Sequence, residues 1–384
     1  MALASAIFCF GTRTEAQTRS VVGGNISWPE LPSGIVPHRF LLGPPAVSVG
    51  TKAGPDPTLL SGVVGATWLT SGEIVVGDAG GNRILFFDKA GGFIRVAGRS
   101  GDGPGEFRLL SWVGRCAGGT VGAYDAAHSS LTFLTPGGAI AGTLKLPGAV
   151  GFDKPVACSS PGQLIMLFDQ NRARVKPGQH LVTPTALVRI RGPSSTDTIA
   201  LGGPQDYYVA KTIGAYSNVP LGRSALGAAG ATRLFVAATE SGRVEVYDTS
   251  GASKGSFVVR FKQRTVSARD WERARSDRID AEPLERSRKP LAIVLGELAQ
   301  PANFPHFESI RGDTHNQLWI RTFDNYQTET ATWLIVDQQG VPRAAMAAPR
   351  RLRILEIGSS YLLGVAIDSI GVERVQLYNF PKIR

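Results

Sequence analysis

The chain has 384 residues, of which 43% are hydrophobic and 19% charged, with 46 glycines and a formal charge of +10. That balance excludes a disordered chain, and no apolar run reaches the roughly 18 residues a membrane-spanning helix needs. The positive charge either serves solubility or favours an anionic partner, but no Lys/Arg block of nucleic-acid type is present, so nucleic acid is set aside.

The N-terminus reads MALASAIFCFGTRTEAQ. Its short apolar run, with small residues Thr14 and Ala16 before Gln17, resembles a secretory signal over residues 1–16, although the basic flank is missing. The alternative is an ordinary buried N-terminal segment. A cleaved signal implies a periplasmic or secreted protein and would remove Cys9.

The first clear structural unit is SGEIVVGD, AGGNRILFFD, KAGGFIRVAG, read as strand, turn, strand, turn, strand. The pattern recurs. Units end their second strand at Asp78, Asp125, Asp169, Glu240, Asp324 and Asp368, and Asp125 to Asp169, like Asp324 to Asp368, spans 44 residues. A period of about 40–45 residues with three or four strands is a propeller period. A lone four-stranded sheet cannot bury two apolar faces, whereas six sheets stacked around an axis can. The last unit runs out after VQLYNF, so Ala46 to Val49 is expected to supply its outer strand and close the ring. The anchor acids are read as caps on local turns rather than as a cation-binding ring.

Between the first two units lies GRSGDGPGEF, Gly98 to Phe107. A phosphate-binding loop would need a following helix opening with Lys-Ser or Lys-Thr, and the residues that follow read as a strand. With the preceding IVVGDAGGNRILFFD, the stretch resembles the connector of NHL-type repeats, which form six-bladed propellers in secreted and periplasmic bacterial proteins. The resemblance covers 61–147 best and extends to the later units by period more than by residue. It implies an all-β, six-bladed β-propeller over 38–384, with Phe107 packed between blades. Six-bladed relatives include lyases and lactonases that hold a metal near the axis.

Three segments depart from the repeat. Residues 170–185 read as a long surface hairpin or loop in the third unit, and 203–219 as another exposed loop after it. Residues 263–303, between blades four and five, read as a helical insertion. Ser267 and Asp270 have capping-box spacing, and WERARSDRID follows with Arg269, Arg273, Arg275 and Arg278. Pro283 is expected to end this helix, and Pro290 to open a second, more apolar one packed on the propeller. The insertion is either a brace with solvated charges or a docking element that offers Arg269, Trp271, Arg273, Arg275 and Arg278 to a partner with an acidic surface.

Chemistry-bearing patterns are sparse. Gly251 to Gly255 matches G-x-S-x-G, but it falls in a hairpin turn, not between a strand and a helix. The histidines His38, His128, His180, His306 and His315 show no metal-binding spacing. Cys116 and Cys158 occupy equivalent places in successive units, so they form either a disulfide or two buried thiols. No catalytic, cofactor-binding or metal-ligating residue is assigned. The leading expectation is therefore a non-enzymatic binding or scaffold propeller of the periplasm, a candidate peripheral subunit of a membrane-associated complex. One alternative is a metal-dependent lyase or lactonase, supported if three or more inner-strand polar groups aim at one spot in the channel. The other is carbohydrate or cell-wall binding through exposed Tyr207, Tyr208, Trp271 and Tyr326.

Overall fold

The computed structural model describes residues 38–147, 154–160, 162–169, 176–282, 284–323, 326–368 and 371–383. The proposed signal segment, Cys9, Pro283 and Asp324 lie outside them. Six antiparallel sheets follow one another along the chain and form a six-bladed β-propeller. Their first strands, which line the axis, are Val63–Trp68, Leu110–Arg115, Lys154–Ser160, Ala225–Ala229, Ser309–Gly312 and Leu352–Ile357.

Alternating apolar residues explain the stacking. Among the described residues, each of the six blade interfaces has its own buried cluster. One is Val75, Phe86 and Val113 between blades one and two, and another is Val63, Leu85 and Leu363 between blades six and one. Blades two and three share Tyr124 and Met166, and three and four share Ile165 and Val236. Blades four and five share Phe235 and Ile320, and five and six share Trp319 and Leu362. Inner strands must approach closely for this to work. A Cβ on Gly65 would lie 2.0 Å from the Val113 carbonyl oxygen, and one on Gly312 would lie 2.3 Å from that of Ala229.

The N-terminal strand closes the circle as the sequence leads one to expect. Val47–Val49 pairs antiparallel with Glu373–Asn379, Val47 opposite Leu377 and Val49 opposite Val375. The Ala46 amide adds a hydrogen bond to the Leu377 carbonyl at 2.7 Å. A second clasp is absent from the sequence reading: His38–Leu41 runs parallel to Pro342–Pro349 and adds a fifth strand to blade five. Residues 38–49 thus reach both blade five and blade six.

The connector at Gly98 to Phe107 contains a short parallel pairing, Arg99–Ser100 with Glu106–Phe107. Phe107 is buried in the cluster between blades one and two. Gly98 has φ +75°, and a Cβ there would lie 2.4 Å from the Phe107 ring, which explains why glycine occupies it.

The hairpin or loop expected at 170–185 is, from His180 onward, part of a long hairpin, and the loop expected at 203–219 is largely strand. His180–Gly192 and Ser195–Val209 form a long hairpin, and Tyr216–Asn218 adds a further strand. This hairpin has a packing partner in the second helix. That helix, α2, spans Glu285–Gly296, and its Val294 packs with Tyr208, Ala210 and Val219. At its C-cap, Glu297 accepts hydrogen bonds from the Lys211 amide at 2.7 Å, the Thr212 hydroxyl at 2.8 Å and the Tyr208 hydroxyl at 3.2 Å. Pro290 does not open α2. It sits in the second turn, where it forgoes one i→i−4 hydrogen bond, while Glu285 starts the helix.

The first helix, α1, spans Ala268–Asp280 and lies with α2 between the last strand of blade four and the first of blade five. Its capping box is reciprocal: the Asp270 amide donates to Ser267 Oγ at 3.1 Å, and the Ser267 amide donates to Asp270 Oδ2 at 3.0 Å. Three of the anchor acids serve turns, whereas Asp169 accepts from the Thr183 and Tyr207 hydroxyls. Asp78 accepts from the Ser61 amide and pairs with Arg83, and Asp125 accepts from the amides of Arg108, Leu109, Ala127 and His128. Asp368 accepts from the Val372 amide and pairs with Arg374. Glu240, by contrast, is exposed.

Candidate functional site: the axial channel

A cavity of about 690 Å³ runs along the axis. Much of its wall is small or apolar: Ala66, Trp112, Val156, Leu226 and Leu355. Against that lining stands a polar network built from three blades. Thr67 and Arg115 sit at the last turns of the first strands of blades one and two, and Glu356 sits near the same end in blade six. Tyr361 begins the second strand of blade six, just across the turn.

These four groups meet. Arg115 Nη2 donates to Glu356 Oε1 at 3.0 Å and to the Tyr361 hydroxyl at 3.3 Å. Arg115 Nε reaches Thr67 Oγ1 at 3.4 Å. The Thr67 and Tyr361 hydroxyls both donate to the Glu356 carboxylate, and the Trp68 amide adds a bond at 3.3 Å. Tyr361 also stands edge-on to Trp68, with ring centroids 4.5 Å apart. Burial, and then the neighbouring Glu356 carboxylate, push the Tyr361 phenol well above its ordinary range. The Arg115 guanidinium ends higher than usual: burial opposes its charge, but Glu356 and Tyr361 more than offset that.

Two further guanidiniums enter the channel. Arg311 Nε donates to the Ile354 carbonyl at 2.9 Å and Nη1 to the Ile310 carbonyl at 2.7 Å. Desolvation, aided by Arg353 and Arg321, brings Arg311 down to about 10. Arg353 donates to the Val63 carbonyl, and burial lowers it while Glu373 opposes the shift. Beside the network, Cys116 and Cys158 are joined by a disulfide with Cα atoms 4.5 Å apart, linking blades two and three at the cavity wall.

The channel's donor set does not suit a divalent metal. Its network carboxylate, Glu356, already accepts from Thr67, Arg115 and Tyr361, and a cation at the same oxygen would face the Arg115 guanidinium. Among the described residues no group of three or more His, Cys, Asp and Glu gathers as ligands. His128 instead contacts Asp102 and Asp125, and the His306 amide bonds the Thr239 carbonyl. Ser253 of the G-x-S-x-G stretch lies exposed at the start of Ser253–Val258, after the hairpin turn.

The expected docking residues fare differently from one another. Arg269 is exposed. Trp271 is not available to a partner: it is 7% exposed and packs with Ala274, Phe304, Phe323 and Tyr326, because the i, i+3 apolar face of α1 turns onto the propeller. Arg273 pairs with Glu329 at 3.1 Å and Asp277 at 3.6 Å, Arg275 with Glu272, and Arg278 with Glu282 at 3.3 Å. The four aromatics expected at a carbohydrate-binding rim do not form one: Tyr207, Tyr208 and Tyr326 are buried alongside Trp271.

Sequence reasoning missed Arg115, Glu356, Tyr361, Arg311 and Arg353. A usable signal existed: each arginine and the glutamate is a charged residue within a first strand whose neighbours are glycine or apolar, as in VGR, IRG and LRILE.

No family model matches the chain, and no curated protein does. Similar solved structures include a gluconolactonase from Xanthomonas campestris, at 11% identity over 88% of this chain and 99% of that one, with a TM-score of 0.44. A virginiamycin B lyase from Staphylococcus aureus gives 12%, 85%, 82% and 0.39, and the calcium-binding protein regucalcin from Agrobacterium tumefaciens 12%, 91%, 98% and 0.37. Likeness of this degree carries no argument about activity, which rests on the site itself. No described helix is long and apolar enough to cross a membrane.

Proposed function

We propose that the protein works on a small molecule in its axial cavity, as an enzyme of the lyase or lactone-opening kind that uses no resident metal. The observation carrying this reading is the meeting of Arg115, Glu356 and Tyr361 at the wall of a ligand-sized cavity, with Thr67 of a third blade bonded to them. Glu356 is the proton acceptor of the set, Tyr361 the hydroxyl that shares its proton, and Arg115 the fixed charge that steadies both. In lactone opening, Glu356 takes a proton from the attacking water as the C–O bond forms. It returns that proton to the ring oxygen as the ring bond breaks, so lactone and water give hydroxy acid.

The scaffold reading ranks behind, because Trp271 is buried and Arg273, Arg275 and Arg278 are paired within the chain. Turnover of a panel of lactones and of esters prone to β-elimination tests the proposal, with and without chelator. Turnover that survives chelation and falls at least a hundredfold in Glu356→Gln and Tyr361→Phe is expected. Loss of all turnover on chelation, or full activity in both variants, refutes it.

A further inference from the structure

Among the charged groups of the channel, Arg311 stands apart. Arg115 has Glu356 at 3.0 Å, whereas Arg353, like Arg311, has no carboxylate within ion-pair distance among the described residues and donates to the Val63 carbonyl. Asp313 borders the cavity, but its carboxylate is turned away. It accepts from the amides of His315 and Gln317 and from the Trp319 indole nitrogen. Arg311 has two backbone carbonyls and no carboxylate within ion-pair distance among the described residues. Its Nε and Nη1 are committed to Ile354 and Ile310, which fixes the guanidinium plane. Nη2 makes no hydrogen bond among the described residues and is left for the cavity.

A desolvated cation without a counter-charge is costly, and an anion placed against it relieves that cost. Arg311, held by two carbonyls where Arg353 is held by one, is the fixed guanidinium of the two, and one fixed guanidinium seats one carboxylate. The cavity wall also presents the apolar side chains of Leu226, Leu355 and Val156. We infer that the ligand of the axial site is a monocarboxylate with an apolar body, its carboxylate seated on Arg311. The inference rests on the reading of the cavity as the ligand site, and it makes Arg311 a binding residue distinct from the Glu356–Tyr361 pair.

The test uses the full chain and a panel of probes: straight-chain acids from butyrate to decanoate, phenylacetate and 4-phenylbutyrate, each beside its neutral amide, and inorganic phosphate. Calorimetric binding is measured on the wild type, Arg311→Gln and Arg311→Lys. At least one acid is expected to bind about ten- to a hundredfold more tightly than its amide. That preference should disappear in Arg311→Gln and be partly kept in Arg311→Lys. Gly142→Ala, on an outer strand with open space at its Cβ position, should bind the acid like the wild type. Equal affinity for acid and amide, no binding by any acid, preference for phosphate, or an unchanged preference in Arg311→Gln overturns the inference. If Arg311→Gln does not fold, the acid-against-amide comparison on the wild type and Arg311→Lys still decides. Acid binding that depends on Arg311, in a protein that turns over no substrate, keeps this inference and removes the enzymatic one.

Discussion

The Cys116–Cys158 bridge offers a perturbation whose size follows from the chain itself. The two residues are 42 positions apart, and a cross-link closing a loop of that size removes about 13 cal/mol/K of entropy from the unfolded chain, or about 4 kcal/mol at room temperature. Unfolding entropy near 2.1 cal/mol/K per residue gives roughly 0.8 kcal/mol/K for 384 residues, so reduction is expected to lower Tm by about 5 °C. The assay is thermal unfolding with and without reductant, beside the Cys116→Ala/Cys158→Ala variant, which should melt like the reduced protein. Alanine is preferred to serine because both positions are buried and a hydroxyl would need a partner. Mass spectrometry after alkylation of the native protein supplies an independent readout. Labelling of both thiols without prior reduction refutes the bridge, and an unchanged Tm on reduction refutes the loop argument. Because Arg115 immediately precedes Cys116, the bridge also anchors the strand end that carries the polar network. A loss of ligand affinity larger than the loss of stability would expose that second role.

Three other outcomes follow. Gly65→Ala should cost at least 1–3 kcal/mol in chemical denaturation, since its Cβ would meet the Val113 carbonyl at 2.0 Å, while Gly142→Ala, with nothing within 4 Å, should change stability by less than about 0.5 kcal/mol. Trp271→Ala should cost about 3–5 kcal/mol through lost packing, whereas Arg269→Ala, fully at the surface, should be nearly silent; the reverse order would revive α1 as a docking element. Burial alone would raise the Asp270 carboxyl, but hydrogen bonds from Ser267 and Gln327 bring it below its ordinary value. Its stabilisation is therefore complete above that ordinary value and is lost as pH falls through the lowered one. Asp270→Asn should destabilise by about 1 kcal/mol at neutral pH, and its difference from the wild type should shrink in acid.

The ring was legible because its cues are local. Glycine turns, strand alternation and an acid at the end of the second strand recur along the sequence, and the missing outer strand of the last unit pointed to Ala46–Val49. The capping box of α1 was legible for the same reason, since Ser267 and Asp270 are three residues apart. The parallel clasp of His38–Leu41 was not, because nothing near those residues names Ala344 as a partner. Pro290 misled because the rule for first-turn proline ignores the packing of Leu291, Val294 and Leu295 that pays for a proline deeper in the helix. The polar network was hidden by distance along the chain. Arg115 and Glu356 are 241 residues apart, and only closure of the ring brings blades two and six to the same wall.

Strand register shows how the fold divides its work. Ala225 pairs with Ala238, Ala238 with Arg243 and Arg243 with Val258, so the helices that follow Val258 leave from the end where first strands begin. The extension of the blade-three hairpin, Thr183 opposite Gln205, lies beyond Asp169 at that same end. Thr67, Arg115 and Glu356 stand at the other end, beside the turns that lead into the second strands. The brace of α1, α2 and the hairpin therefore stiffens one face while the network sits toward the opposite mouth. Surface charge on the helices has no short route to the site, and a substitution there should alter stability before it alters ligand binding. The groups that can distinguish one ligand from another are the few polar side chains which ring closure places along an otherwise apolar axis.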